Sequence, residues 1–123
     1  MKTSYFGVTP KTAPGAIAIS LYLPKGRKYP HYPQLAPTPE LLKTYKSPSA
    51  AMLFDLERYY TDEFFSQLFD LNPKKVWDEL HWLAGGAEPV LLCYEKPGEF
   101  CHRRLVAKWF EVELGELVKE VVK

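Results

Sequence analysis

The apolar pattern along the chain predicts alternating strands and helices. Residues 90–94 form a short apolar run between turn signals, which is typical of a strand buried on both faces. Beyond the turn residues Pro97 and Gly98, apolar side chains recur every three or four positions. This period indicates an amphipathic helix that starts near Cys101 and ends at Gly115. A buried strand therefore leads directly into a helix, and we expect this strand to be central in a sheet.

Three further helices are predicted because a capping residue precedes a proline at each start. The apolar stripe of the second helix is wide, so we expect that helix to be covered on more than one side. The three starts are Thr38-Pro39, Ser47-Pro48 and Asn72-Pro73, and the predicted helices span residues 39–45, 48–69 and 73–84.

Three more strands are predicted at residues 4–8, 16–23 and 117–122. The connection between the first two is too short for a parallel crossover, so they are expected to be either antiparallel or not adjacent. The order β-β-α-α-α-β-α-β predicts an α/β fold, in which a single three-layer domain spans residues 1–123. Its small sheet is expected to be mostly parallel, with helices on both faces and an antiparallel edge as an option.

The composition is that of a soluble globular protein. The 123 residues are 46% hydrophobic and 25% charged, so one domain can bury a substantial core. The net charge of +1 gives no general attraction to nucleic acid or to an anionic membrane. No apolar run approaches the roughly 20 residues of a membrane span, and two cysteines do not make a secreted disulfide scaffold. We therefore expect a cytoplasmic protein with no membrane association and no cofactor.

The candidate site is the start of the last helix, which reads Cys101, His102, Arg103 and Arg104. The first backbone N–H groups of a helix lack partners within it and lie at the positive end of its dipole. An anion is favoured there, at the carboxyl end of a core strand, where open α/β sheets place their ligands. The ligand-binding candidates around this helix start are Arg103, Arg104, Glu95 and Lys96.

The two arginines fall on different faces of the predicted helix. Arg103 lies on the apolar stripe, so its guanidinium must be paired. The partner is either an anionic ligand, which a guanidinium binds with two hydrogen bonds, or an internal carboxylate. Glu95, Glu99 and Asp55 are the candidate carboxylates. Arg104 lies on the polar face, where a solvated surface role is the alternative to ligand binding.

Cys101 and His102 are the candidate catalytic residues. A thiol at a helix N-terminus beside arginines can have a lowered pKa and act as a nucleophile or redox sensor, and the alternative is a small buried apolar residue. His102 is a candidate general acid or base near a bound anion, or else it fixes the loop. Cys93 reads as a core residue of the strand. Cys93, Cys101 and His102 do not have a recognised zinc-ligand spacing, and a fourth ligand would have to come from His31 or His81, so no metal is expected.

A second basic cluster follows the strand predicted at residues 16–23. Lys25 and Arg27 belong to it, and Tyr29 comes directly after it. If this strand is parallel to residues 90–94, both basic clusters lie at the same edge of the sheet. The cluster could then hold a phosphate and stack a base, and the alternative is a solvated loop. A glycine-rich phosphate loop, a dinucleotide fingerprint and a serine nucleophile elbow are not found.

The stretch Leu-Leu-Cys-Tyr-Glu-Lys-Pro-Gly-Glu-Phe-Cys-His-Arg-Arg, residues 91–104, resembles the signature of the domain of unknown function 488 family in its short form. The resemblance implies an α/β domain with no established activity, and a site at the Cys-His-Arg-Arg motif. Longer members carry an Asp-Val-Arg-like motif after the second strand, where this chain reads Ser-Leu-Tyr-Leu-Pro at residues 20–24. Weaker similarity to the order of segments in that family is found at residues 5–6, 35–37, 41–46 and 77–80.

Our first functional hypothesis is a domain that binds an anionic or phosphorylated, nucleotide-like small molecule at the helix start. Cys101 or His102 would process that ligand. The first alternative is a nucleic-acid-binding accessory module that uses the second basic cluster together with Arg103 and Arg104. The second alternative is a non-catalytic interaction domain in which Arg103 is purely structural.

Overall fold

The computed structural model describes residues 1–46 and 55–121. Their strands form one parallel sheet in the order β2-β3-β1-β4, which confirms the α/β fold and the small parallel sheet. The strand predicted at residues 90–94 is β3, and it is central, as expected. The strands are β1 (Lys2–Tyr5), β2 (Ala16–Ala18), β3 (Val90–Cys93) and β4 (Lys119–Glu120).

The first two strands are parallel and not adjacent, because β3 lies between them. The alternative of an antiparallel edge strand is wrong, because the edge strand β4 pairs with β1 in parallel. Both predicted N-terminal strands are shorter than expected. The first gives way to a 3-10 helix at Phe6–Val8, and the second leaves the sheet where the Ser20 hydroxyl donates to the carbonyl of Tyr22 at 2.6 Å.

Helices begin at two of the side-chain caps that the sequence indicates. Thr38 accepts a hydrogen bond from the N–H of Leu41, and Asn72 accepts one from Lys75. The start predicted at residues 47–48 lies outside the described residues, and Asp55 caps the helix that follows them. The helices are α1 (Pro39–Tyr45), α2 (Leu56–Phe69), α3 (Pro73–Leu83) and α4 (His102–Leu114).

Alternate side chains of the sheet face two different core clusters. Ile17 and Leu91 pack in the larger cluster, to which all four α-helices contribute. Ala18 and Leu92 face the other way, toward Phe6 of the 3-10 helix and Tyr29 of the loop after β2. Small alanines on β2 leave room for these rings, so a loop and a 3-10 helix cover this face. Helix α4 packs on β1 and β3, which brings its first turn to the carboxyl edge of the sheet.

Candidate functional site

A pocket of about 290 Å³ opens at the carboxyl ends of β2 and β3, beside the first turn of α4. This is the edge at which open α/β sheets place their ligands. Three of the residues singled out from the sequence line it, namely Glu95, Cys101 and His102. Helices α1 and α2 contribute Tyr45 and Tyr60 to its lining.

The walls of the pocket are largely aromatic. The rings of Tyr45, Tyr60 and Phe100 form a mutual cluster with centroid separations of 5.2, 5.3 and 5.6 Å. Burial, with the charge of Glu95 acting in the same direction, raises the pKa of Tyr60, so this phenol stays neutral at neutral pH. Tyr94 is half exposed at the rim, and its hydroxyl donates to the carbonyl of Tyr22 at 3.0 Å. These rings therefore offer flat, uncharged surfaces, and Lys46 and Glu95 add a charge of each sign to the same lining.

Cys93 and Cys101 are joined by a disulfide bond at the inner end of the pocket. Cys93 is the last residue of β3 and Cys101 is the N-cap residue of α4. The disulfide therefore joins the two ends of the short loop between the strand and the helix. From the sequence, Cys101 was expected to be either a reactive thiol or a small buried residue, and Cys93 a core residue of the strand. The disulfide corrects the free thiol considered for Cys101. Both cysteines are buried, which agrees with the core position expected for Cys93.

His102 is buried in the wall of the pocket, at 6% exposure. Its Nε2 lies 2.7 Å from the carbonyl oxygen of Ile19, and because a carbonyl only accepts, Nε2 carries the proton. Nδ1 is then an unprotonated acceptor, 3.8 Å from the sulfur of Cys101. Burial lowers the pKa of His102 to about 4; the Ile19 hydrogen bond opposes this shift and the charge of Arg103 adds to it. His102 is therefore neutral at neutral pH.

Arg103 is buried at 0% exposure and is paired internally. Its Nε and Nη2 donate to the two carboxylate oxygens of Glu120 at 3.0 and 2.7 Å, and its Nη1 donates to the sulfur of Cys93 at 3.1 Å. One of the two alternatives for Arg103 was an internal carboxylate, and the structure contains that pair. The partner is Glu120 of β4, which replaces the three candidates named from the sequence.

Arg104 ties α4 to two strands. Its Nη1 donates to the hydroxyl of Thr3 at 2.8 Å and to the carbonyl of Val118 at 3.1 Å. The Thr3 hydroxyl in turn donates to Glu120 at 2.6 Å, so both arginines share one hydrogen-bonded network with the carboxylate. The remainder of the Arg104 side chain is exposed, in line with the polar face predicted for it.

The second basic cluster makes its contacts outside the pocket lining. Arg27 donates to the carbonyl of Phe6 at 3.2 Å, and its guanidinium carbon lies 5.7 Å from the ring centre of Tyr29. Tyr29 is buried, and its hydroxyl donates to the carbonyl of Thr9 at 2.5 Å. Lys25 is exposed. Although β2 is parallel to β3, none of these three residues lines the pocket among the residues described, and neither do Lys96, Arg103 and Arg104.

A comparison with protein families matches residues 8–114 to DUF488-N3a, described as the active DUF488-N3 subclade. The chain belongs to the DUF488 family. The similarity expected from residues 91–104 is thereby confirmed, and the matched range contains every residue that lines the pocket. Neither the curated proteins nor the solved structures include a significant match to this DUF488 chain. No helix within residues 1–46 and 55–121 has the length and apolar character needed to cross a membrane.

Proposed function

We propose that this DUF488 domain binds a small molecule that combines a planar ring with an anionic group, such as a nucleoside monophosphate. The observation that carries the proposal is the pocket at the strand ends, which is lined both by aromatic rings and by the start of α4. The wall and the helix start supply different interactions, and each accounts for one part of the ligand.

The aromatic wall suits the ring. Tyr45, Tyr60 and Phe100 lie in contact with one another, and Tyr94 stands at the open rim. Aromatic side chains bind a planar ligand through stacking and edge-on contacts. At about 290 Å³, the pocket is at the lower end of the size of small-molecule sites. It therefore suits one ring and a small anionic group better than a dinucleotide.

The start of α4 suits the anion. Within the described part of the chain, the side chain of Cys101 makes no capping hydrogen bond. The first N–H groups of a helix lack the usual partner one turn earlier, and the dipole favours negative charge beside them. In α4 the N–H of Arg104 donates to the carbonyl of Cys101 at 3.1 Å, so the proposal relies on the N–H groups of His102 and Arg103. Lys46 adds a positive charge to the lining. Arg103 is occupied by Glu120, so this proposal replaces the expected guanidinium clamp with backbone groups and Lys46.

The test uses adenosine monophosphate, adenosine and inorganic phosphate as probes of ring and anion, separately and together. Adenosine monophosphate should raise the melting temperature more than either part alone, because a ligand that binds only the folded state stabilises it. Lys46→Met should weaken binding by roughly fivefold at low salt, since one screened charge contributes about 1 kcal/mol. Lys43→Met is the matched control, because Lys43 is exposed on the same helix and does not line the pocket.

Two results would contradict the proposal. One is the absence of stabilisation by all three probes. The other is an equal loss of affinity in Lys46→Met and Lys43→Met, which would indicate a general charge effect. The nucleic-acid alternative has weaker support, because Arg27 and Tyr29 of the second basic cluster are held within the protein.

A further inference from the structure

Three metal-binding side chains converge at the inner end of the pocket. Cys93, Cys101 and His102 each place one donor atom within 4.8 Å of the other two, and all three residues are buried. Thiolate sulfur and imidazole nitrogen are the donor set that zinc prefers in proteins. The sequence analysis expected no metal because the spacing along the chain is unusual, but coordination depends on positions in space.

The surroundings of these residues match those of metal ligands. His102 donates its Nε2 proton to the carbonyl of Ile19, which leaves the Nδ1 lone pair directed toward the sulfur of Cys101. A ligating histidine usually donates its second nitrogen to such a carbonyl or to a carboxylate. The sulfur of Cys93 accepts a hydrogen bond from Arg103, which stabilises a thiolate there.

The backbone spacing also suits two thiolates that share an ion. The Cα atoms of Cys93 and Cys101 are 7.6 Å apart, beyond the roughly 4.4–6.8 Å that disulfides usually span. Two thiolates on a tetrahedral zinc ion lie about 3.7 Å apart, given Zn–S bonds of about 2.3 Å. Such a pair needs a longer Cα separation than a disulfide does.

We infer that the reduced protein binds one zinc-type divalent cation through the sulfurs of Cys93 and Cys101 and Nδ1 of His102. Reduction needs two electrons and two protons: a phosphine supplies the electrons and becomes its oxide while water supplies the oxygen and the protons, or two thiols supply both and become a disulfide. The cation then displaces both thiol protons of the cysteines. Because Cys101 and His102 line the pocket, the fourth coordination position faces it. Three protein ligands with one open position are the arrangement of catalytic zinc sites, in which water or substrate is the fourth ligand.

The experiment compares two states of the wild-type chain. One sample is reduced with a phosphine and its thiols are counted, and the other keeps its disulfide. Each is titrated with Co²⁺ and then with Zn²⁺ against a chromophoric chelator, without nucleotide. The reduced sample should bind one Co²⁺ with the visible bands of a tetrahedral site and a sulfur-to-cobalt band in the near ultraviolet. The oxidised sample should bind at least 100-fold more weakly.

A pair of variants tests the histidine ligand. His102→Ala should weaken Zn²⁺ binding by more than the roughly 10- to 100-fold that loss of an outer-shell partner costs. His81→Ala should bind as the wild type does, because His81 is exposed on α3 beside Trp77. Circular dichroism checks that both variants fold, and the comparison of the two wild-type states stands without them.

Three outcomes would overturn the inference. The first is equal affinity of the reduced and oxidised chains for the metal, and the second is binding of Co²⁺ without a thiolate transition. The third is a disulfide that resists the phosphine in the folded protein. Metal binding is measured without nucleotide, so it succeeds or fails independently of the binding of adenosine monophosphate.

Discussion

The guanidinium of Arg103 and the carboxylate of Glu120 meet in two hydrogen bonds that tie the start of α4 to β4. The arginine side chain is 0% exposed and the glutamate side chain is 15% exposed. The pair therefore holds the short edge strand β4 against the helix whose first turn lines the pocket.

Removal of the carboxylate should destabilise the fold strongly. Glu120→Ala leaves Arg103 buried without its counter-charge, and loss of one partner of a buried pair costs about 3–5 kcal/mol. Partial exposure of Glu120 reduces the expected loss to about 2–3 kcal/mol. Urea unfolding measures it. Asp78→Ala is the control, since its pair with Lys74 is exposed and should contribute less than about 0.5 kcal/mol.

The same carboxylate makes stability depend on acidity. Burial alone raises the pKa of Glu120, but hydrogen bonds from Arg103 and Thr3 and the two arginine charges bring it below its usual value of 4.5. The unfolded chain therefore binds a proton at this position at a higher pH than the folded chain does. The contribution of Glu120 is present above its unfolded pKa and is lost as the pH falls from there through the folded pKa.

Unfolding curves at several pH values between about 6 and 3 test this. The wild type should lose stability as the pH falls below about 4.5, and Glu120→Gln should lose less over the same range. Parallel pH profiles for the two proteins would show that Glu120 has no such linkage.

The central position of β3 predicts sensitivity to charge. Leu92 is 0% exposed, in the middle of β3, and Leu92→Asp would place an unpaired carboxylate in the core. We expect a loss of about 4 kcal/mol or more, or failure to fold. Val112→Asp on α4 is the control, because Val112 is 67% exposed and should change stability by less than about 0.5 kcal/mol. Similar melting temperatures for both variants would contradict the central assignment.

Substitution of two glycines that have almost the same backbone conformation can distinguish the cost of a left-handed backbone from the cost of a steric clash. Gly15 and Gly26 have φ of +75° and +77°. A Cβ at Gly15 would lie 2.0 Å from the carbonyl oxygen of Glu88, whereas a Cβ at Gly26 meets nothing within 4 Å. Gly26→Ala should cost about 1–2 kcal/mol, from left-handed strain alone. Gly15→Ala should cost clearly more, because the backbone that leads into β3 must also move. Equal losses of stability for the two variants in thermal unfolding would contradict a steric clash at Gly15.

Local signals in the sequence predicted most of the fold. Thr38 and Asn72 cap helices because the interaction lies within three residues, and a continuous apolar run made β3 recognisable. The pairing of Arg103 with Glu120 could not be predicted in this way. It depends on the order of strands in the sheet, which places β4 beside β1 and below the first turn of α4.

The site was predicted in part for the same reason. The start of α4 is visible in the sequence, and Cys101 and His102 lie in the pocket. The aromatic wall was missed, because a tyrosine on the apolar stripe of a helix looks the same whether it fills a core or lines a pocket. Tyr60 is such a case, being 4% exposed and still part of the lining. The disulfide was missed because the cysteines were assigned to a strand and a helix separately.

The hydrogen bond from His102 to the carbonyl of Ile19 has an evolutionary consequence. The acceptor is a main-chain atom, so no exchange of the side chain at position 19 removes it. The side chain at that position is then constrained by core packing alone, since Ile19 is 0% exposed. The backbone carbonyl at position 19 therefore fixes the tautomer of His102. Neutral substitutions at that position leave the proton on Nε2.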